Sequence, residues 1–150
     1  MSKSLFELID ALLSLPRLDR ESVECVSGVR LISVGEQNLF FVTWKSLNKG
    51  LRDVGEIELR CPGPKSEMKD GMVILELCPD LNVTTDDIHA RFGAPEDVHV
   101  SPDGREGHPF SYCYSIKGAK LSFGFRESAC KPRDILPVTL VDVVIDRTGC

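Results

Sequence analysis

The chain has 150 residues, 42% of them hydrophobic and 27% charged, with a formal net charge of −5. This is a globular composition, outside the low-hydrophobicity, high-charge range of disordered chains, and the length suffices to bury roughly 70% of the unfolded surface without disulfide or metal. The acidic balance argues against a general nucleic-acid or anionic-membrane binder, which would need a basic footprint, and suits a basic protein partner.

Ser4 opens a segment in which Leu5, Leu8, Ile9, Leu12 and Leu13 recur at helical spacing. Ser4 as N-cap and Glu7 three residues later form a capping box, and Pro16 stops the helix. Glu7 and Asp10 interrupt the apolar run, so the segment lacks the core and cleavage site of a secretory signal, and no stretch reaches the roughly 20 apolar residues of a membrane span. A cytoplasmic chain is expected. Its six cysteines, Cys25, Cys61, Cys78, Cys113, Cys130 and Cys150, are then expected reduced, the internal ones as small core residues and Cys150 exposed.

A polar connection follows Pro16, and residues 29–34 and 38–44 read as the strands of a hairpin with Gly35, Glu36 and Gln37 between them. Residues 46–54 are mixed and polar. In 56–61, Glu56, Glu58 and Arg60 alternate with Ile57, Leu59 and Cys61, the pattern of a half-buried strand. The stretch 62–71, rich in proline, glycine and charge, reads as an exposed loop, and 72–78 as another strand.

In the second half, Thr84 and Asp87 form a capping-box pair and Val83 with Ile88 a hydrophobic staple, while Gly93 and Pro95 end the helix. Residues 101–107 form a charged turn. Three strands follow at 110–116, 119–125 and 138–145, the first two joined by Lys117 and Gly118, with a polar connection over 129–137.

The halves resemble one another. At an offset of 79, Ile9, Ala11, Leu13 and Pro16 fall on Ile88, Ala90, Phe92 and Pro95; at 82, Ser33, Val34, Leu39 and Phe41 fall on Ser115, Ile116, Leu121 and Phe123. Duplication and convergent apolar patterning both account for this. The expected fold is α+β: a single domain with an antiparallel sheet and helices packed on one face, made of two related halves, 1–61 and 79–150, joined by an exposed loop and strand over 62–78.

The segments TTDDIHARFGAPEDV, FSYCYSIKGAKLSFGF and PVTLVDVVI together resemble the small helix-on-sheet module shared by the β-lactamase inhibitor protein and the small lipoprotein of the outer-membrane barrel assembly machine. A tandem pair of such modules is similar to the inhibitor. The resemblance implies a fold used for protein recognition and carries no functional residue with it. By analogy of size, charge and class, bacterial immunity proteins that neutralise a cognate toxin are of the same kind.

Catalytic chemistry finds little support in the residues. His89, His99 and His108 lie far apart with no cysteine pair beside them, so no metal site is expected. Cys113, mid-strand between Tyr112 and Tyr114, has no nucleophile-elbow turn around it, and Cys130 has only Lys131 beside it. GPKSEMKDG lacks the spacing of a phosphate-binding loop, and Asp86 and Asp87 suit helix capping. No catalytic residue and no cofactor are expected.

The strand faces say more. Phe110, Tyr112, Tyr114 and Ile116, with Leu121, Phe123 and Phe125, should pack under the helix and leave Ser111, Cys113, Ser115, Lys120, Ser122 and Gly124 on an open face. Carried to the first half by the repeat, this polarity puts Leu39 and Phe41 in the core and turns Phe40, Val42 and Trp44 outward beside Glu56, Glu58 and Arg60. Exposed aromatics flanked by charge are what interface anchors look like. The competing reading covers Phe40 and Trp44 by residues 47–51 or a second copy of the chain. Glu96, Asp97, Asp103 and Glu106 are secondary candidates for meeting a basic target. The expected function is an intracellular inhibitor or immunity protein that occludes a cognate toxin or enzyme; the alternative is a homodimeric structural or adaptor protein.

Overall fold

A computed structural model describes residues 4–35, 39–46, 53–68, 70–78, 81–100, 110–126 and 139–149. Helix α1 (Leu5–Leu13) starts where expected: the Ser4 hydroxyl accepts from the Glu7 N–H at 3.3 Å, and the Glu7 carboxylate accepts from the Ser4 N–H at 3.4 Å. The Asp53 carboxylate accepts from the Leu5 N–H at 2.9 Å, so a residue 48 positions away satisfies another of the orphan donors of the first turn. Leu5, Leu8, Ile9, Leu12 and Leu13 are all buried.

The connection expected after Pro16 contains a second helix, α2 (Arg20–Ser27). Its Asp19 N-cap accepts from the Ser22 N–H at 2.9 Å, which holds the Asp19 carboxyl below its ordinary value, and Gly28 closes it in the left-handed region at φ 71°. The hydrophobic pattern hides α2 because the helix buries only Val23 and Ser27.

Eight strands follow: β1 (Leu31–Val34), β2 (Phe41–Ser46), β3 (Val54–Pro62) and β4 (Met72–Leu77), then, after α3 (Thr85–Phe92), β5 (Asp97–Val100), β6 (Phe110–Ile116), β7 (Ala119–Arg126) and β8 (Thr139–Asp146). They form one antiparallel sheet in the order β1-β2-β3-β4-β8-β7-β6-β5, so two four-strand meanders meet where their last strands pair. The fold is α+β. β5 is an addition to the sequence reading, which ends the helix at Gly93 and Pro95 and places no strand before Phe110; the alternation Asp97, Val98, His99, Val100 is a strand signal too short to stand out. Residues 62–71 are less of an exposed loop than their composition implies: Pro62 belongs to β3, and Gly71 is buried with no room for a Cβ between the Leu18 and Arg60 carbonyls. Residues 47–52 of the expected 46–54 segment, and the expected segments 101–107 and 129–137, lie outside the described residues, as do Asp103 and Glu106.

Residues directly paired on adjacent strands project to the same side. Leu59, Val73, Ile145, Leu121 and Tyr114 form one such row, and Ile57, Leu75, Val143, Phe123 and Tyr112 the next; most are fully buried. The helices lie on this side. Phe92 of α3 packs on Phe123 and Tyr114 at 5.1 and 5.6 Å between ring centroids, Phe6 of α1 meets Phe92 at 6.3 Å, and Arg20 of α2 sits 5.0 Å over the Trp44 ring. The Lys117–Gly118 turn joining β6 and β7 has both residues at positive φ, 51° and 78°, matching the twist of a two-residue hairpin.

Both edges of the sheet are blunted by carboxylates. On β1 the Leu31 N–H is given to Glu24 of α2 at 2.8 Å, and on β5 the Val98 N–H is given to the side chain of Asp97 at 2.9 Å. Such capped, charged edges resist pairing with another chain.

The end of the chain is pinned by a half-buried ion pair. Arg147 Nε faces Asp70 Oδ2 at 3.1 Å, its terminal nitrogens donate to the Leu15 and Pro16 carbonyls, and Asp70 Oδ1 accepts from the Leu18 and Gly71 N–H groups at 2.8 and 2.7 Å. One carboxylate thus ties the α1–α2 connection, the start of β4 and the residue after β8. Replacing Asp70 with Ala strands the guanidinium and two N–H groups, and urea denaturation is expected to register a loss on the order of 3 kcal/mol.

An uncovered sheet face as the candidate functional site

Opposite the helices, the register lines up three rows of side chains. The longest crosses all eight strands: Ile32, Lys45, Glu58, Ile74, Val144, Ser122, Cys113 and Asp97. Beside it runs Val34, Thr43, Arg60, Met72, Asp146, Lys120 and Ser115. On the other side run Glu56, Glu76, Asp142, Gly124, Ser111 and His99. Every one with a side chain is half-buried or exposed, because among the described residues no helix covers this face.

The face is graded along its length. Toward β1 it carries Phe41 and Arg60, the guanidinium 6.0 Å from the ring centroid, with exposed Leu39 alongside. Glu58 accepts from Arg60 Nε at 2.8 Å and faces Lys45 Nζ at 3.8 Å, and Lys45 also lies 3.9 Å from Glu56. Met72, Ile74 and Val144 give a half-exposed aliphatic centre. Toward β5 the floor is made of Ser111, Cys113, Ser115, Ser122 and Gly124, and it is hollowed into two shallow clefts that share Ser115 and Lys120.

The structure separates the residues that the sequence groups into one patch. Glu56, Glu58 and Arg60 stand on the open face as the alternation requires. Trp44 does not: it pairs with fully buried Leu59 and packs against the core under Arg20. Val42, paired with Cys61, shares that side, while Phe41, expected in the core, projects from the open face. Leu39 and Phe40 precede β2 and are 51% and 59% exposed, their carbonyls accepting from the Lys65 and Gly63 N–H groups at 2.8 Å. The error has a physical source. The offset of 82 lays the edge strand β1 on β6, the second strand of its meander, and β2 on β7, so polarity is carried between strands that are not topological counterparts. Ile74, Val144, Glu76 and Asp142 were missed because β4 and β8, whose apolar residues lie on both sides, do not display a polar face.

His99 lies 3.2 Å from Asp97 at the exposed β5 edge, His89 stacks edge-on to Tyr112 at 5.4 Å, and no cluster of metal-ligating side chains occurs among the described residues. Cys113 Sγ is 3.6 Å from Ser122 Oγ. Burial, and then the Asp19 and Asp70 carboxylates, push the Cys61 thiol from its ordinary 9.0 up to about 11. Tyr114 is likewise raised by burial and by Tyr112, its hydroxyl donating to the Gly93 carbonyl at 3.0 Å.

Two measurements check these placements. Trp44→Ala is expected to cost about 2 kcal/mol of unfolding free energy, an aromatic core loss discounted for partial exposure. Exposed Cys25 is expected to react with a disulfide reagent well before Cys61. Because the raised Cys61 pKa favours the neutral thiol in the folded chain, its contribution to stability is complete below pH 9 and is lost as pH rises toward about 11.

No helix among the described residues is long and apolar enough to cross a bilayer. No protein-family model, no curated protein and no solved structure matches the chain.

Proposed function

We propose that the chain is an intracellular, non-catalytic inhibitor or immunity-type protein that occludes a cognate toxin or enzyme with its open sheet face. The observation that carries this reading is the face itself: eight strands wide, with the three described helices on the opposite side, no described helix over it, and half-buried Phe41, Met72, Ile74 and Val144 among charged side chains. Apolar side chains in a charged surround are the usual make-up of a recognition surface, and aromatic and arginine side chains such as Phe41 and Arg60 are favoured anchors. The resemblance of the second half to the helix-on-sheet module of the β-lactamase inhibitor protein points the same way. Occlusion by a preformed sheet needs no cofactor and little ordering on binding, which favours affinity.

The carboxylate-capped edges favour a free monomer over a self-paired sheet. The test is co-expression with the product of the adjacent reading frame. The wild-type chain is expected to relieve its toxicity or inhibit it and to co-purify with it. Ile74→Arg, which places a bulky cation at the middle of the face, is expected to lower affinity by at least about tenfold while leaving the thermal midpoint nearly unchanged. A stable homodimer that buries the open face, measured by light scattering in reducing buffer, would overturn the reading.

A further inference from the structure

Among the described residues four large hydrophobic side chains are exposed: Ile32, Leu39, Phe40 and Val98. Ile32 and Val98 stand singly on the edge strands β1 and β5, as scattered surface apolar residues commonly do. Leu39 and Phe40 are consecutive, 51% and 59% exposed, and lead straight into Phe41 on the open face. Apolar side chains gathered in this way at a surface mark contact with another molecule.

The backbone beneath this pair holds it in place. The Leu39 and Phe40 carbonyls accept from the Lys65 and Gly63 N–H groups, and Gly63 lies so close that a Cβ there would sit 2.5 Å from the Leu39 oxygen. Pro62 and Pro64, each with φ fixed by its ring, bracket that glycine, and the Ser66 N–H donates to the Gly63 carbonyl at 3.1 Å to close the turn. With these carbonyls satisfied inside the chain, the segment offers side chains more than strand backbone, and little ordering is required on binding. Insertion into a pocket suits it better than addition to a sheet. The bordering charges are cationic: exposed Lys65 is tied through its own N–H to Leu39, and Arg60 lies 6.0 Å from the Phe41 ring. Glu58, which pairs with Arg60, is 17% exposed, and Glu67 lies past the turn. A carboxylate on the other molecule answers such a border. An anionic bilayer would also attract these cations, but it repels a chain of formal charge −5.

We infer that Leu39 and Phe40 are the anchor that enters an apolar pocket, with an acidic rim, on the protein partner. The inference rests on the open-face reading above and adds where the contact is centred and what chemistry the partner brings to it.

The full chain is titrated by calorimetry with the purified product of the adjacent reading frame. Phe40→Ser is expected to weaken binding roughly 30-fold and Leu39→Ser about fivefold, while both keep the thermal midpoint within about 2 °C of wild type, because the side chains removed are exposed. Lys65→Glu is expected to weaken binding about threefold, by less as salt is raised. If Ile74→Arg weakens binding while Phe40→Ser binds as wild type does, the anchor is overturned and the open-face reading stands. If Lys65→Glu binds as tightly as wild type or tighter, the acidic rim is overturned. If the wild-type chain does not bind at all, both readings fall. The anchor is also overturned if wild type, but not Phe40→Ser, binds vesicles of phosphatidylcholine and phosphatidylserine or forms a dimer by light scattering in reducing buffer.

Discussion

The antiparallel pairing of β4 with β8 is the constraint on which the rest depends. Each is the last strand of its meander, and Val73 opposite Ile145 and Leu75 opposite Val143 are fully buried. Burying such a side chain is worth roughly 1.5–3 kcal/mol, so these four outweigh any set of surface ion pairs in the molecule. Their pairing turns two small meanders into one sheet and places α1 and α3 side by side, where Arg91 meets Asp10 at 2.8 Å and Phe6 meets Phe92. Arg147, immediately after β8, then anchors to Asp70 just before β4.

A sheet joined this way has two unlike faces. The helix side holds the buried aliphatic and aromatic core. The open side holds charge pairs worth at most about 1 kcal/mol each to stability, and so it is free to be shaped by recognition. Engaged N–H groups at β1 and β5 disfavour addition of another strand at either edge.

What was legible in the sequence follows the strength of each local signal. Ser4 with Glu7 and Thr84 with Asp87 announced α1 and α3 because capping is a short-range hydrogen-bond pattern. The aromatic alternation of β6 and β7 fixed both their strand character and their facing. α2 escaped because Asp19, Ser22 and Gly28 cap a helix with almost no apolar stripe, which is anchored by buried Val23, by Arg20 over Trp44 and by Glu24 on β1. β2 was found as a strand but turned the wrong way: Phe41, Val42 and Trp44 put large side chains on both sides, and only pairing with Leu59 decides which is inside. The row that Glu56, Glu76 and Asp142 form on the open face is invisible in the sequence, since they meet through register rather than through spacing.

A recognition role for the open face requires that it be bare in the free chain. Hydroxyl-radical footprinting of the isolated protein reads this side chain by side chain. Met72, Phe41 and Cys113 on the open face are expected to oxidise rapidly, with Leu59, Leu75 and Phe123 on the helix face protected. Protection of Met72 and Cys113 to the level of Phe123 would mean that something already covers the face, and would contradict its role as a free recognition surface.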